Sequence, residues 1–163
     1  MKKIYIVRHA KSSWGDLSLA DIDRPLNKRG KRDAPFMGEV CKTKGYIPDQ
    51  MISSNAKRAA TTGQVFCKAL GLDKSKMSYE KSLYHAPEDT YIDVCFGLDE
   101  GVQSVMMFGH NPGITYLVNS VSKEYIDNVP TCGVLVIDAS IDKWTELDFS
   151  KCKLVDFLYP KMF

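Results

Sequence analysis

The sequence has no stretch rich in Pro, Gly or Ser that would separate one domain from another, no internal repeat and no low-complexity tract. Its 163 residues are therefore read as one domain spanning 1–163. No apolar run reaches the roughly 18 residues of a membrane span. The apolar residues after Met1-Lys2-Lys3 are interrupted by Arg8, His9 and Lys11 before a signal-peptide core could form. Cys41, Cys67, Cys95, Cys132 and Cys152 include no CxxC pair. An odd number of widely spaced thiols points to reduced cysteines, and so to a cytoplasmic protein. An excess of one charge is also missing. With 22 Lys and Arg against 20 Asp and Glu, the formal charge of +2 makes neither nucleic acid nor a membrane surface the expected partner.

Several catalytic signatures are absent. No cysteine is followed six residues later by arginine, which excludes the cysteine-phosphatase loop, and GxSxG, GxxxxGK and GxGxxG do not occur. Asp21-Ile22-Asp23 does not close an apolar strand, which argues against an aspartate nucleophile there. The three histidines, His9, His85 and His110, lack metal-ligand spacing, so neither a metal nor another cofactor is expected.

With 44% hydrophobic residues, the chain has material for a full core. Lys3 to Val7, Met51 to Ser53 and Val105 to Phe108 are short apolar runs of the kind found in strands covered on both faces. Between them lie helical stretches at Lys28 to Lys44, Ala56 to Leu70, Pro87 to Phe96 and Pro112 to Val121. This alternation predicts an α/β fold with a mostly parallel central sheet and helices on both faces.

The boundaries carry chemical markers. Asn27 and Asn55 are expected as N-caps, Pro87 and Pro112 at first helical positions, and Gly45, Gly71 and Gly97 as left-handed residues after helix ends. Pro35 predicts a kink in the first helix or a later start near Asp33. Near the end, "GVLVID" and "KWTELDF" flank Ala139 to Asp142 and predict a C-terminal hairpin.

The chemistry collects at strand ends, where open α/β sheets bind ligands. Arg8 and His9 follow the first apolar run, Gly109 and His110 follow the third, and Gly109 is read as permitting close backbone approach. After the second run, "SSNAKRAATT" puts Arg58 in the first turn of a helix, where free N–H groups favour an anion. Two guanidiniums, two imidazoles and a helix N-terminus suit phosphate. Arginine forks match its oxygens, and a neutral imidazole can attack phosphorus or move a proton near pH 7. Taken singly, each residue could be an ordinary polar group at a turn. Lys28, Arg29, Lys31 and Arg32 read as a solvated face that could border the pocket.

"RHA" after the first strand, Ser54, Arg58, Ala59 and Thr62 in S-x-x-x-R-A-x-x-T, "GHNP" at Gly109 to Pro112 and "DRPLNKRG" at Asp23 to Gly30 resemble the histidine phosphatase, or phosphoglycerate mutase-like, superfamily. The short chain and "LYHA" at Leu83 to Ala86 most resemble its SixA-type phosphohistidine phosphatases. The resemblance implies a three-layer α/β/α sandwich and a metal-independent phosphatase. It implies that His9 is the nucleophile, forming a phosphohistidine intermediate, and that Arg8, Arg58 and His110 hold the phosphoryl oxygens. Ser12, His85 and Asn111 are expected to contact substrate. Larger relatives place Glu or Asp two residues after the leucine before the third helix, whereas His85 stands there in this chain. The proton donor is thus left open between His85 and a nearby carboxylate.

The stretch between Arg58 and His110 leaves little room for a lid, which predicts a shallow, open pocket. That favours phosphohistidine or another protein-borne phosphate as substrate. The alternatives are a small sugar or carboxylic acid phosphate, or a phosphate-binding module without catalysis.

Overall fold

A computed structural model describes residues 1–163. Six strands form one sheet: β1 Lys2–Arg8, β2 Gln50–Ser53, β3 Met77–Tyr79, β4 Ser104–Gly109, β5 Val134–Ala139 and β6 Cys152–Leu158, in the order β3-β2-β4-β1-β5-β6. The pairs from β3 to β1 are parallel, whereas β5 and β6 add antiparallel strands on the other side of β1. The helices are α1 Lys28–Thr43, α2 Lys57–Ala69, α3 Glu88–Phe96 and α4 Gly113–Val121.

Strand periodicity builds the layers. In β1, Tyr5 and Val7 pack with Met37 and Cys41 of α1 and Phe66 of α2. Ile4 and Ile6 face the opposite way, toward Tyr91 of α3 and Ile114 and Leu117 of α4. The same alternation in β4 sends Met106 and Phe108 to the first layer and Val105 and Met107 to the second. A three-layer α/β/α sandwich results, as expected. The chain runs outward from β1 to β2 and β3, then returns through α3 to place β4 beside β1. The carboxyl ends of β1 and β4 are therefore adjacent, and Arg8 pairs with Gly109 across them.

Several expectations need correction. Helix α1 starts at Lys28, with the Asn27 side chain accepting from Gly30 N, and continues through Pro35. Pro35 and Lys31, whose carbonyl loses its partner, are both exposed, so water can replace the missing bond. Ala56, not Asn55, is the N-cap of α2, and Ser54 Oγ accepts from Ala56 N at 3.2 Å in place of a side-chain cap.

Pro87 and Pro112 occupy cap positions rather than the first helical turn. Gly45 and Gly71 are left-handed, but Gly97 keeps a helical φ of −86°. The strand paired with β5 is Cys152–Leu158, not "KWTELDF". Trp144 is buried, and its Nε1 donates to Val102 O at 2.9 Å, which pulls that stretch into a 3-10 turn against the body of the protein. The edge strand β3 has no long apolar run, so periodicity does not reveal it.

Candidate active site

His9 leaves β1 with its backbone N–H bonded to Gly109 O at 3.0 Å, and the next amide, Ala10 N, donates to Thr62 Oγ1 at 3.0 Å. Thr62 Oγ1 in turn donates to Arg58 O at 2.7 Å, so helix α2 holds the loop that carries the histidine. His9 Nδ1 lies 2.8 Å from Ala10 O. A carbonyl can only accept, which assigns the ring proton to Nδ1 and leaves the Nε2 lone pair free. Burial lowers the His9 pKa to about 4, and the positive charges of Arg58, Arg8 and Arg24 push in the same direction. The ring is therefore neutral, and nucleophilic, at pH 7.

His110 leaves β4 beside it, with ring centroids 5.2 Å apart. Its Nε2 is 2.8 Å from Ser54 Oγ, and its Nδ1 is buried without a hydrogen-bond partner. Burial first, then His9 and Arg58, lower its pKa to about 3. Gly109 does admit a close approach, but from within the protein: a Cβ there would overlap the Tyr91 hydroxyl. That hydroxyl accepts from His110 N at 3.3 Å.

Arg58 is 3% exposed and donates from Nη1 to Asp21 O at 2.7 Å and from Nη2 to Asp21 Oδ2 at 3.0 Å. Asp21 also accepts from Tyr84 OH and Arg24 Nη1, and His85 Nε2 lies 3.3 Å from Oδ2. The Tyr84 hydrogen bond, followed by those from Arg24 and Arg58, holds the Asp21 carboxyl well below the usual carboxylate range. Asp21 is thus a fixed anion, a role distinct from the nucleophile that the sequence argues against. The only signal was its spacing of three residues from Arg24 in a short 3-10 turn.

Arg8 donates from Nη1 to Val129 O at 2.8 Å, and its Nε is buried without a partner. The expected substrate contacts differ in placement. Ser12 is buried, and its Oγ accepts from Arg24 Nη2. Asn111 Nδ2 donates to Asn128 Oδ1 and Val129 O, both at 3.0 Å, and its Oδ1 accepts from Thr115 Oγ1. Asn111 and Arg8 therefore share the Val129 carbonyl, and Asn111 steadies the loop on which Arg8 rests. His85 stands at the rim, with its side chain 56% exposed and φ at 52°, a left-handed conformation that costs energy for a residue with a Cβ. The floor is less open than expected, because His9 is only 8% exposed and His110 2%.

A family model described as histidine phosphatase superfamily (branch 1) matches residues 4–83, which include Arg8, His9 and Arg58. The chain is 31% identical to a protein of Agrobacterium tumefaciens assigned as the phosphohistidine phosphatase SixA, with a TM-score of 0.82 and 98% of each chain covered. The chain belongs to the SixA-type branch of the histidine phosphatase superfamily. A protein histidine phosphatase SixA complexed with tungstate shares this phosphatase fold, with a TM-score of 0.81, 21% identity and 98% of each chain covered. An uncharacterized chloroplastic protein of Arabidopsis thaliana is 28% identical over 153 residues, which cover 89% of this phosphatase chain and 70% of the plant protein. No helix in the phosphatase is long and apolar enough to cross a membrane.

Proposed function

We propose that this phosphatase attacks phosphorus through His9 Nε2 and removes phosphate from phosphohistidine or another protein-borne phosphate. The observation that carries the reading is the Nδ1 to Ala10 O bond, which leaves a neutral imidazole lone pair among Arg8, Arg58 and His110.

In the first step His9 Nε2 forms a bond to phosphorus as the bond to the leaving imidazole or alcohol breaks. Arg8 and Arg58 carry the charge that develops on the phosphoryl oxygens. His110 donates from the ring nitrogen that carries its proton to a phosphoryl oxygen, which can only accept. Asp21, held as an anion, keeps Arg58 oriented and cannot itself donate a proton near pH 7. An imidazole leaving group departs already protonated, and His85 at the rim assists with a proton where the leaving group lacks one. Water then attacks phosphorus, its proton passing to His85 or to the departing phosphate, and as the P–O bond forms the bond from phosphorus to His9 Nε2 breaks, which releases phosphate and restores the neutral His9. The arginines supply the positive charge, so turnover should survive EDTA.

Two observations favour a protein substrate over a small one. The rim loop before α1 exposes Trp14, Leu17 and Leu19, with Leu17 89% exposed, and such side chains suit contact with another protein. The Agrobacterium relative, at 31% identity, is assigned to phosphohistidine.

Rapid quench with a phosphohistidine peptide, analysed by mass spectrometry at neutral or alkaline pH, should find phosphate on His9. Full single-turnover activity in His9→Ala would overturn the mechanism. A panel of phosphohistidine and phosphoserine peptides, a sugar phosphate and an aryl phosphate tests the substrate class. The highest kcat/KM should fall on phosphohistidine, and a preference for the sugar phosphate refutes the protein reading.

A further inference from the structure

Arg8 also lines a depression of about 700 Å³ to which His9, Arg58 and His110 do not contribute. Its walls carry five cationic side chains, Arg8, Lys11, Arg29, Arg32 and Lys161, against one side-chain carboxylate, Asp33. The net of +4 there exceeds the +2 of the whole chain, so the rest of the molecule sums to −2 and the positive charge is concentrated at this place. Asp33 is already matched by Arg32 at 2.9 Å, and none of the ion pairs of the protein involves Lys11, Arg29 or Lys161. The buried Arg8 Nε is likewise without a partner. Like charges gathered without counter-ions repel one another until an anion joins them.

Folding assembles this cluster from distant segments. Arg29, Arg32 and Phe36 lie on one stripe of α1 at spacings of three and four residues. The C-terminal turn over Pro160–Met162 brings Lys161, and Phe163 packs edge-on against Phe36 with ring centroids 5.8 Å apart. The basic side chains at residues 28–32 stay exposed, as expected of a solvated face, and two of them border a concave site that Phe36 and Phe163 also line.

We infer that this depression docks an acidic segment of the phosphorylated protein substrate, an inference that rests on the protein-phosphatase reading of the adjoining site. Arg8 and Lys11 of the depression flank His9 in the chain, and Asn128 of its wall accepts from Asn111, next to His110, so the depression adjoins the site and the residues beside a phosphorylated side chain at His9 can extend into it. Carboxylates meet Lys11, Arg29 and Lys161, while the stems of Glu side chains cover Phe36 and Phe163.

The test compares phosphohistidine peptides flanked by Glu and Asp with peptides flanked by Gln and Asn, using the full chain and the double variant Arg29→Glu/Lys161→Glu. The wild type should favour the acidic peptide about tenfold in kcat/KM, mainly through KM, the size expected of a few partly exposed ion pairs. Raising the salt should erode the preference as the Debye length falls from about 8 Å toward 3 Å. The double variant should lose the preference yet hydrolyse an aryl phosphate at the wild-type rate. Equal kcat/KM for both peptides in the wild type, or a preference that survives in the variant, overturns the inference.

Fluorescence anisotropy of the unphosphorylated acidic peptide supplies a readout independent of turnover. If phosphohistidine is not hydrolysed but this peptide binds the wild type and not the variant, docking stands and the phosphohistidine reading falls. Binding of inorganic polyphosphate without binding of the peptide overturns docking in favour of a small polyanion.

Discussion

At Asp21 four side chains converge on one carboxylate: Arg58 and Arg24 as ion pairs, Tyr84 as a hydroxyl donor and His85 at 3.3 Å. A group so surrounded stays charged and orients its partners, which divides the labour between Asp21 and His85. His85→Ala should slow phosphohistidine hydrolysis by about tenfold or less, because an imidazole leaving group can be protonated beforehand and needs less help than an alcohol. Asp21→Asn keeps the shape and the Arg58 Nη1 bond to the residue 21 carbonyl but removes the charge that Arg58 Nη2 pairs with, so Arg58 is held less firmly and kcat should fall about 10- to 100-fold, as misplaced catalytic groups commonly cause. Steady-state kcat/KM for both variants checks this, and a loss above a thousandfold in His85→Ala would make His85 the essential acid.

Among the elements, the β1–α1 and α3–α4 junctions hold the histidines of the site through close backbone contacts. A Cβ at Gly30, in the first turn of α1, would overlap the Lys11 carbonyl, and one at Gly113, at the start of α4, would overlap the Ala86 carbonyl. Neither neighbour is a flexible side-chain tip. Gly30→Ala and Gly113→Ala should each destabilise the protein by about 1–3 kcal/mol, lower Tm by roughly 3–10 °C and reduce kcat by shifting the loops of His9 or His85. Gly97→Ala is the contrast. Its φ is −86° and the nearest atom to a Cβ is Val94 O at 3.7 Å, so its stability should change by less than about 0.5 kcal/mol. Thermal unfolding of the three variants separates the cases.

For the molecule as a whole, the buried site makes stability depend on pH. The His9 and His110 pKa values fall to about 4 and about 3, against 6.5 for a free imidazole. Below pH 6.5 the unfolded chain therefore takes up protons that the folded protein refuses, so stability falls as the pH drops from 6.5 toward 4. Asp21 acts in a lower range. Its folded pKa is depressed, so its contribution is complete above the ordinary carboxylate pKa near 3.8 and is lost as pH falls further. Urea unfolding from pH 7 to pH 4 should show a decreasing midpoint, with a shallower slope in His110→Asn. A midpoint independent of pH over that interval would contradict the burial of the two rings.

The strand and helix alternation, the phosphate chemistry proposed for Arg8, His9, Arg58 and His110 and the membership in a phosphatase superfamily could all be read from the sequence. They depend on local periodicity and on residues fixed at strand ends, both of which survive without knowledge of contacts. Tertiary structure decided the rest. The strand that pairs with β5 was misread because Trp144 is anchored on Val102 O, more than 40 residues away in the chain. The sequence argues against Asp21 as a nucleophile but does not show it as the anchor of Arg58, because its partners Arg58, Tyr84 and His85 are 37 to 64 residues further along the chain. The basic depression could not be foreseen either, since Arg29 and Lys161 lie near opposite ends of the chain. Its charge density, like the network around Asp21, arises only when folding gathers side chains that are distant in the sequence.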